Sequence, residues 1–547
     1  MAAEEMLLDT DLGTIRVAAT PQDDQLRKKI SFQSRPAPWC RLPAVVLTSV
    51  LSGCMVGPNF KSPHPKMPAS FFADAPPTQG APYVSGDAVD PLWWNVFNDP
   101  ELTKLENLAV TQNLDLQIAT QRLLESEAQA QIEGAVLYPN LSFAGSYTRE
   151  GASQEGIFNA FGTSTGTTAP GSVANGSSTA TGGGAFSGAV IQPFNLYQYG
   201  LQTMYDLDLW GQNRRAVEAA VAAAQSSEEA RRAALLNVEA QVASNYIQLR
   251  GTEAVLSITQ RNLDIANQLL NLTIGRQDAG LTTALDVANA RATAAQIASQ
   301  IPTLTAQRDA LIDQIGLLLG QPQEVMLSEL IIATPIPLTP PVISVGLPSD
   351  LLRRRPDVRE AEAELHEATA QIGVAQAQFF PDITLSASVS LQSLQLKDLN
   401  EWRALTYAVG PDITLPIFEG SQLRGQLKLR KAQQQEDAIG YAKTVLTAFY
   451  QVDTALSAYT QEHATLDALN TDVHQSQIAL NLAEEQYRQG LVDYLTVLNA
   501  QESYLSAQQS QAQSVQRLGT DLVTLYQALG GGWEQIFPAS EKTTART

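Results

Sequence analysis

Apolar residues recur at every seventh position along two long stretches of the chain: Leu249, Leu256, Leu263 and Leu270 in one, and Val445, Val452, Tyr459, Leu466, Val473, Leu480 and Tyr487 in the other. A sustained heptad marks helices wound on neighbouring helices rather than a helix lying on a globular core. Asn213 to about Ile274 contains no proline and a single glycine, Gly251, so at about 1.5 Å per residue this helix can run roughly 90 Å. Its early seam positions are small (Ala216, Ala220, Ala223, Ser227, Ala230, Ala234), which lets backbones approach closely, as a wall of side-by-side helices needs. An ordinary two-stranded coiled coil carries the same heptad.

The period changes to two where the helices break. Ile383, Leu385, Ala387, Val389 and Leu391 alternate with Thr384, Ser386, Ser388 and Ser390, and Leu405, Tyr407, Val409, Pro411 and Ile413 alternate with Thr406, Ala408, Gly410 and Asp412. The same alternation runs through Leu141, Phe143, Gly145 and Tyr147, and through Tyr197, Tyr199, Leu201, Tyr205 and Leu207. Strands of about ten residues, apolar on one face and wet on the other, fit the transmembrane β-barrel pattern. A half-buried soluble sheet fits it too, but aromatics cluster near the strand ends. Four strands cannot close a barrel, and an open edge is not tolerated in lipid, so several copies of the chain must share one. Between the first two strands, Gly156 to Tyr205 carries no charge and is dominated by Gly, Ser, Thr and Ala as far as Gly188, which predicts a long loop projecting outside.

The chain is also duplicated. Arg276-Gln277-Asp278-Ala279-Gly280-Leu281 is echoed by Arg488-Gln489-Gly490-Leu491, and laying Gly280 on Gly490 also superimposes Leu256, Leu263 and Leu270 on Leu466, Val473 and Leu480. The expected organisation is a signal with an atypical N-terminal extension over 1–53, an extended tether over 54–91, and a first repeat over 92–330 with strands about 138–149 and 190–210 and long helices 212–274 and 282–319. A Pro-rich connector follows over 331–349, then a second repeat over 350–534, with strands about 381–392 and 404–418 and long helices 421–488 and 493–529, and a tail over 535–547.

Composition removes several classes of function. With 35 Lys+Arg against 56 Asp+Glu and a net charge of -21, the chain is a poor partner for nucleic acid, whose non-specific affinity comes from basic groups on phosphates. The two cysteines, Cys40 and Cys54, make no disulfide framework, and the four histidines (His64, His366, His463, His474) show no metal-ligand spacing, so neither metal nor cofactor is expected. No triad order, phosphate loop or paired carboxylate is visible, and an enzyme is not expected. The longest apolar run, Leu42–Leu51, is too short to span a bilayer; it follows Lys28, Lys29, Arg35 and Arg41 and reads as a secretory signal. It ends in Leu51-Ser52-Gly53-Cys54, which resembles the lipobox of bacterial lipoproteins and implies diacylation of the Cys54 sulfur. Met55 rather than Asp after it implies, by the same resemblance, delivery to the outer membrane.

Two longer signatures resemble one family. Trp93-Trp94-Asn95-Val96-Phe97-Asn98-Asp99-Pro100-Glu101-Leu102, followed by Asn113-Leu114-Asp115-Leu116, is similar to the opening of the outer-membrane factors, the TolC-like exit ducts. Leu351-Leu352-Arg353-Arg354-Arg355-Pro356-Asp357-Val358-Arg359, continuing to Phe379-Phe380-Pro381-Asp382, resembles their NodT-type, OprM-like lipoprotein branch. The resemblance spans about 54 to 535. It implies a mixed α and β membrane protein: a homotrimer whose 12-stranded outer-membrane barrel, four strands per chain, continues into a long periplasmic α-helical barrel. It also implies a periplasmic adaptor and an inner-membrane transporter of the resistance-nodulation-division type as partners. The expected function is passive conduction of small molecules out of the cell. A type I secretion duct, or a non-conducting periplasmic coiled-coil lipoprotein, are the alternatives.

By the same resemblance the helix–helix turns form a periplasmic gate, with Arg276, Asp278, Asp286, Tyr487, Arg488 and Asp493 as candidates. Gly280 and Gly490 read first as helix terminators, and with Leu281, Leu491 and Val492 they would offer an apolar rim to the adaptor. Asp206, Asp208, Asp382 and Asp412 are expected to face inward and give an acidic, cation-preferring lumen. Asp99 reads as an N-cap before Pro100, and Arg353, Arg354 and Arg355 as a solvated helix start, with pairing to a neighbouring chain as the alternative.

Overall fold

The computed structural model of the protein describes residues 55–65, 71, 83–85, 89–151, 193–340 and 342–537. The signal segment, Cys54, most of the expected tether and the uncharged loop lie outside these residues. All that follows concerns the unit that begins at Cys54.

In chain order, a short strand β1 (Tyr83–Ser85) precedes helices α1 (Pro100–Gln112) and α2 (Leu114–Ala135), strands β2 (Asn140–Glu150) and β3 (Phe194–Asp206), and helices α3 (Gln212–Asp278) and α4 (Ala284–Leu318). A short α5 (Gln323–Leu330) leads to β4 (Val342–Ser344), which pairs in parallel with β1. Then come α6 (Leu351–Arg354), α7 (Pro356–Ala377), β5 (Asp382–Ser393), β6 (Leu405–Thr414), α8 (Gln422–Arg488) and α9 (Tyr494–Leu529). The helices α3 and α8 have 67 residues each, which makes each about 100 Å long. Among the described residues no helix is long and apolar enough to cross a membrane.

The seams follow the heptads. Leu249 and Leu256 of α3 and Val445, Val452, Tyr459, Leu480 and Tyr487 of α8 are buried. Small residues set the spacing: Gly519 of α9 lies against Ile247, and an added Cβ there would stand 2.9 Å from the Ile247 methyl. The main core gathers Trp93, Trp94 and Phe97, α1 (Leu102, Leu105), the middle of α3 (Val242, Tyr246), α8 (Leu456) and the end of α9 (Leu522, Tyr526). Asp99 caps α1 by accepting from the Glu101 and Leu102 amides, and its second oxygen accepts from the Tyr246 hydroxyl at 2.9 Å, so one side chain starts α1 and ties it to α3.

The arginine run is corrected by the structure. Arg353 is exposed, but Arg354 bridges to Glu534 at 2.9 Å, and buried Arg355 donates to the Ala528 carbonyl and pairs with Asp357 at 2.6 Å. The helix start is not solvated because Gly530–Phe537 folds back over it. Within that segment Trp533 is buried, with the Arg232 and Arg359 guanidinium groups 4.9 and 5.1 Å from its ring. Asp357 is local, but the Ala528 and Glu534 acceptors lie 173 and 180 residues downstream, where no local pattern reveals them.

Two carboxyl groups are buried in the main core with no cation beside them among the described residues. Glu106 and Glu239 are both 0% exposed. Desolvation first, and their mutual repulsion for Glu106, push both well above the usual carboxylate range, the Trp93 indole partly opposing this at Glu239. Because the folded values are raised, the stability tied to these protons is fully present below the ordinary carboxylate range and is lost as pH rises through the folded values. Glu239→Gln, which keeps shape without the titration, is therefore expected to raise the thermal unfolding midpoint at pH 8 more than at pH 5. An equal shift at both pH values would refute the neutral-carboxyl assignment.

Candidate functional site

Two regions bring the candidate residues together: a four-stranded sheet at one end of the long helices and a pair of helical turns at the other. The sheet is antiparallel in the order β2-β3-β5-β6. Its register aligns whole rows. Phe143, Leu201, Val389 and Tyr407 pair across all four strands, and one residue along, Ser142, Gln202, Ser388 and Ala408 do the same on the opposite face. Alternation along each strand thus becomes segregation of two faces of a sheet. The apolar row is uncovered in the single chain: Phe143, Leu201, Val389 and Tyr407 are all exposed.

Asp206, Asp382 and Asp412 belong to the polar rows, where Thr384 stands between Asp206 and Asp412. Asp208 does not. It lies past the end of β3 with a positive φ of 38°, and its carboxylate accepts from the Asn213 and Arg214 amides and pairs with the Arg214 guanidinium at 3.2 Å. Strand alternation stops at Asp206, so the face assignment does not extend to Asp208, whose charge is used to start α3.

At the other end, α3–α4 and α8–α9 turn in the same way. Gly280 and Gly490 adopt φ of +73° and +75°, with Gly280 N–H donating to the Gln277 carbonyl and Leu281 N–H to that of Arg276, and Gly490 and Leu491 donating to those of Tyr487 and Gln486. These are two Schellman closures, which need a residue free to adopt left-handed backbone. Each following helix is capped by a carboxylate and a hydroxyl three residues apart, with the roles exchanged. Thr283 and Asp286 cap each other at α4, whereas Asp493 accepts from the Thr496 amide and hydroxyl at α9. The Thr282 and Thr283 donors hold Asp286 below its ordinary value, and the Thr496 donors do the same for Asp493. Among the described residues neither carboxylate bonds to an arginine.

Further up, Gln508 and Gln509 of α9 bond to Asn262, Thr259 and Gln300 of the other hairpin, and at the turns themselves Arg276 links the two. Its guanidinium lies 4.5 Å from the centre of the Tyr487 ring and donates to the Tyr487 carbonyl at 2.7 Å. Buried Tyr487 packs edge-on against Tyr494, with ring centres 5.9 Å apart. Burial, followed by the neighbouring Tyr487 and Asp286, pushes the Tyr494 hydroxyl up to about 12, so it stays protonated at physiological pH. Arg488 pairs along its own helix with Glu484 and Glu485, and Asp278 is exposed. Leu281 and Leu491 are 68% and 69% exposed at the turns, joined by Leu285 at 67% and Leu495 at 55%, while Val492 is half-buried.

Sequence reasoning missed Tyr494, Leu285, Leu495 and the capping threonines. The signals were present: Tyr494 is one heptad beyond Tyr487, and Thr-x-x-Asp is a capping box.

Comparison with known proteins adds four findings. The family described as "Outer membrane efflux protein" matches residues 105–321 and 347–531. The chain is 32% identical to the Nodulation protein T of Rhizobium leguminosarum bv. trifolii, over 90% of this chain and 97% of that one. It is 33% identical to the probable efflux pump outer membrane protein TtgC of Pseudomonas putida, over 92% and 98%. Among solved structures, the outer-membrane channel OprN superimposes with a TM-score of 0.78 at 29% identity, covering 88% of this chain and all of that one.

Proposed function

This chain belongs to the outer membrane efflux protein family, and we propose from that premise that three copies assemble into one conduit, a closed barrel of their pooled sheets continued by a barrel of their long helices. It is an outer-membrane exit duct of an efflux pump, placed in the outer membrane of a Gram-negative cell and extending into the periplasm.

The observation that carries the assembly is the sheet. Its apolar rows are bare, its two edge strands β2 and β6 have no outer partner strand among the described residues, and four strands enclose nothing. Only further copies can satisfy those edges in lipid. The helical region supports the same reading: exposed apolar residues run along α2 (Leu114, Ile118, Ile132) and α8 (Ile439, Leu446, Tyr450), surfaces for a neighbouring copy to cover. Equal 67-residue helices, beginning 210 positions apart at Gln212 and Gln422, support an internal duplication. Around a trimer axis that duplication makes the wall nearly sixfold.

Conduction then needs little chemistry. The polar rows of Ser, Thr, Gln and Ala line a wet lumen, and Asp206, Asp382 and Asp412 give its rim a negative potential favouring cations. The hairpin turns narrow the opposite end. There Arg276 and Tyr487 hold α3 to α8, Asp278, Asp286, Arg488 and Asp493 supply the remaining charges, and Leu281 and Leu491 with Gly280, Gly490 and Val492 form the apolar rim for a periplasmic adaptor. An inner-membrane transporter of the resistance-nodulation-division type would load the conduit and choose its cargo. Cys54 would be acylated and anchor the chain in the outer membrane.

The protein in detergent is expected to migrate as a heat-modifiable trimer and to produce discrete conductance steps in planar bilayers. A sample that stays monomeric and forms no channels would refute the conduit and favour a bracing lipoprotein.

A further inference from the structure

The segment immediately after Cys54 is held by a buried clamp. Arg215, in the first turn of α3, is only 1% exposed, yet the partners of its guanidinium lie largely outside the helix. Its Nε donates to the Val56 carbonyl and one terminal nitrogen to the Gly57 carbonyl, both at 3.4 Å, and the latter nitrogen also donates to the Asn59 side-chain oxygen at 2.6 Å. The other nitrogen pairs with Glu218 at 2.6 Å, and the second Glu218 oxygen is 3.0 Å from His366 Nε2 of α7. Phe60 stacks on that imidazole with ring centres 4.5 Å apart.

Three glycines make the approach possible. A Cβ on Gly373 of α7 would stand 2.8–2.9 Å from the Arg215 stem, so the arginine crosses α7 only because that position is bare. A Cβ on Gly57 would lie 2.5 Å from Gly373 Cα, and Gly57 has a φ of +103°, strained for any other residue. A Cβ on Gly211 would meet Met55 at 2.8 Å. The Val56 amide donates to the Trp210 carbonyl at 3.0 Å, and Trp210 stacks on Phe380 and donates to the Pro381 carbonyl. These contacts converge on the corner where β3 gives way to α3 and α7 to β5.

We propose that the seam between α3 and α7 is a built peptide-binding site, centred on Arg215, Gly373 and His366, whose occupant is the chain's own Met55–Phe60. An arginine fork satisfied by two backbone carbonyls and the Asn59 side-chain oxygen reads a peptide backbone together with one amide side chain, and the glycine contacts demand small residues at fixed positions. The backbone at Met55 and Val56 is thereby fixed beside the end of the sheet. Resting on the reading that Cys54 is acylated, this makes the lipid a rigid post at the rim of the barrel rather than the end of a loose leash.

Hydrogen exchange of residues 55–60 in the full-length protein, measured in detergent, tests this. Protection is expected both in the acylated protein and in Cys54→Ser. Gly57→Ala, which belongs to the clamped segment and to no helix or strand, and Arg215→Lys, which keeps charge but loses the fork, are each expected to accelerate exchange about tenfold or more. The heat-modifiable trimer should persist in Gly57→Ala, separating loss of the clamp from loss of the fold. Protection that vanishes in Cys54→Ser but survives in Gly57→Ala and Arg215→Lys would overturn the clamp, because the lipid alone would then hold the segment. Intact protection together with a mass showing no acyl group on Cys54 would support the clamp and overturn only the acylation.

Discussion

Arg276→Ala is expected to turn a mostly closed duct into a frequently open one, seen as a several-fold rise in time-averaged conductance in planar bilayers and greater sensitivity of cells to large antibiotics. The substitution removes a cation–π contact and a charge-assisted hydrogen bond to the Tyr487 carbonyl, a direct side-chain tie between the two hairpin turns. A partly exposed link of this kind contributes about 2 kcal/mol, roughly a 30-fold change in the ratio of joined to parted hairpins in each chain. Three chains share the opening, so the effect compounds. Arg276→Lys should leak less than the alanine variant but more than the parent, since an ammonium can still donate to the Tyr487 carbonyl but lacks the planar guanidinium that covers the ring. Asp493→Ala should also leak, but less, because its bonds are made to Thr496 at its own helix start and its loss frays α9 rather than parting α3 from α8. Conductance identical to the parent in Arg276→Ala would remove this tie from the gate, and a larger effect from Asp493 would move the gate to contacts between chains.

The second large effect should come from two adjacent residues of β5. Val389 lies in an apolar row between Leu201 and Tyr407; Ser388 lies in a polar row between Gln202 and Ala408. Arginine facing lipid near the bilayer midplane costs about 2–4 kcal/mol, and a trimer incurs it three times. Val389→Arg is therefore expected to abolish the heat-modifiable trimer, whereas Ser388→Arg should assemble and shift the reversal potential toward anions. Three added positive charges would oppose the field of Asp206, Asp382 and Asp412. The opposite pattern would mean the faces are exchanged. Equal tolerance of both would mean that neither face meets lipid.

These two experiments depend on different amounts of tertiary information. The faces of the sheet were legible along the chain, because a period of two admits one partition into faces once a strand is recognised. The tie at Arg276 was not. Its spacing from Tyr487 exceeds two hundred residues, and the sequence reading grouped the tip charges by resemblance without distinguishing which of them meet. Of that group, Arg276 and Tyr487 touch, Asp286 and Asp493 close their own helix starts, and Arg488 pairs with Glu484 and Glu485. Local hydroxyls competed for the carboxylates and won, because a cap three residues away costs less chain ordering than a partner on another hairpin.

Periodicity by itself determined the kind of elements and their extent: heptads without proline give long seams, and alternation bounded by helix breaks gives short strands with one wet face. Glycine positions likewise fixed the turns, since left-handed backbone is cheap almost nowhere else. Only the folded chain decided which charges are buried and with whom: Arg215 on the backbone of residues 56–59, Arg355 on α9, and Glu106 with Glu239 in a core with no cation beside them among the described residues. Charge placement of that kind depends on desolvation and on partners distant in sequence, and neither leaves a period for the sequence to display.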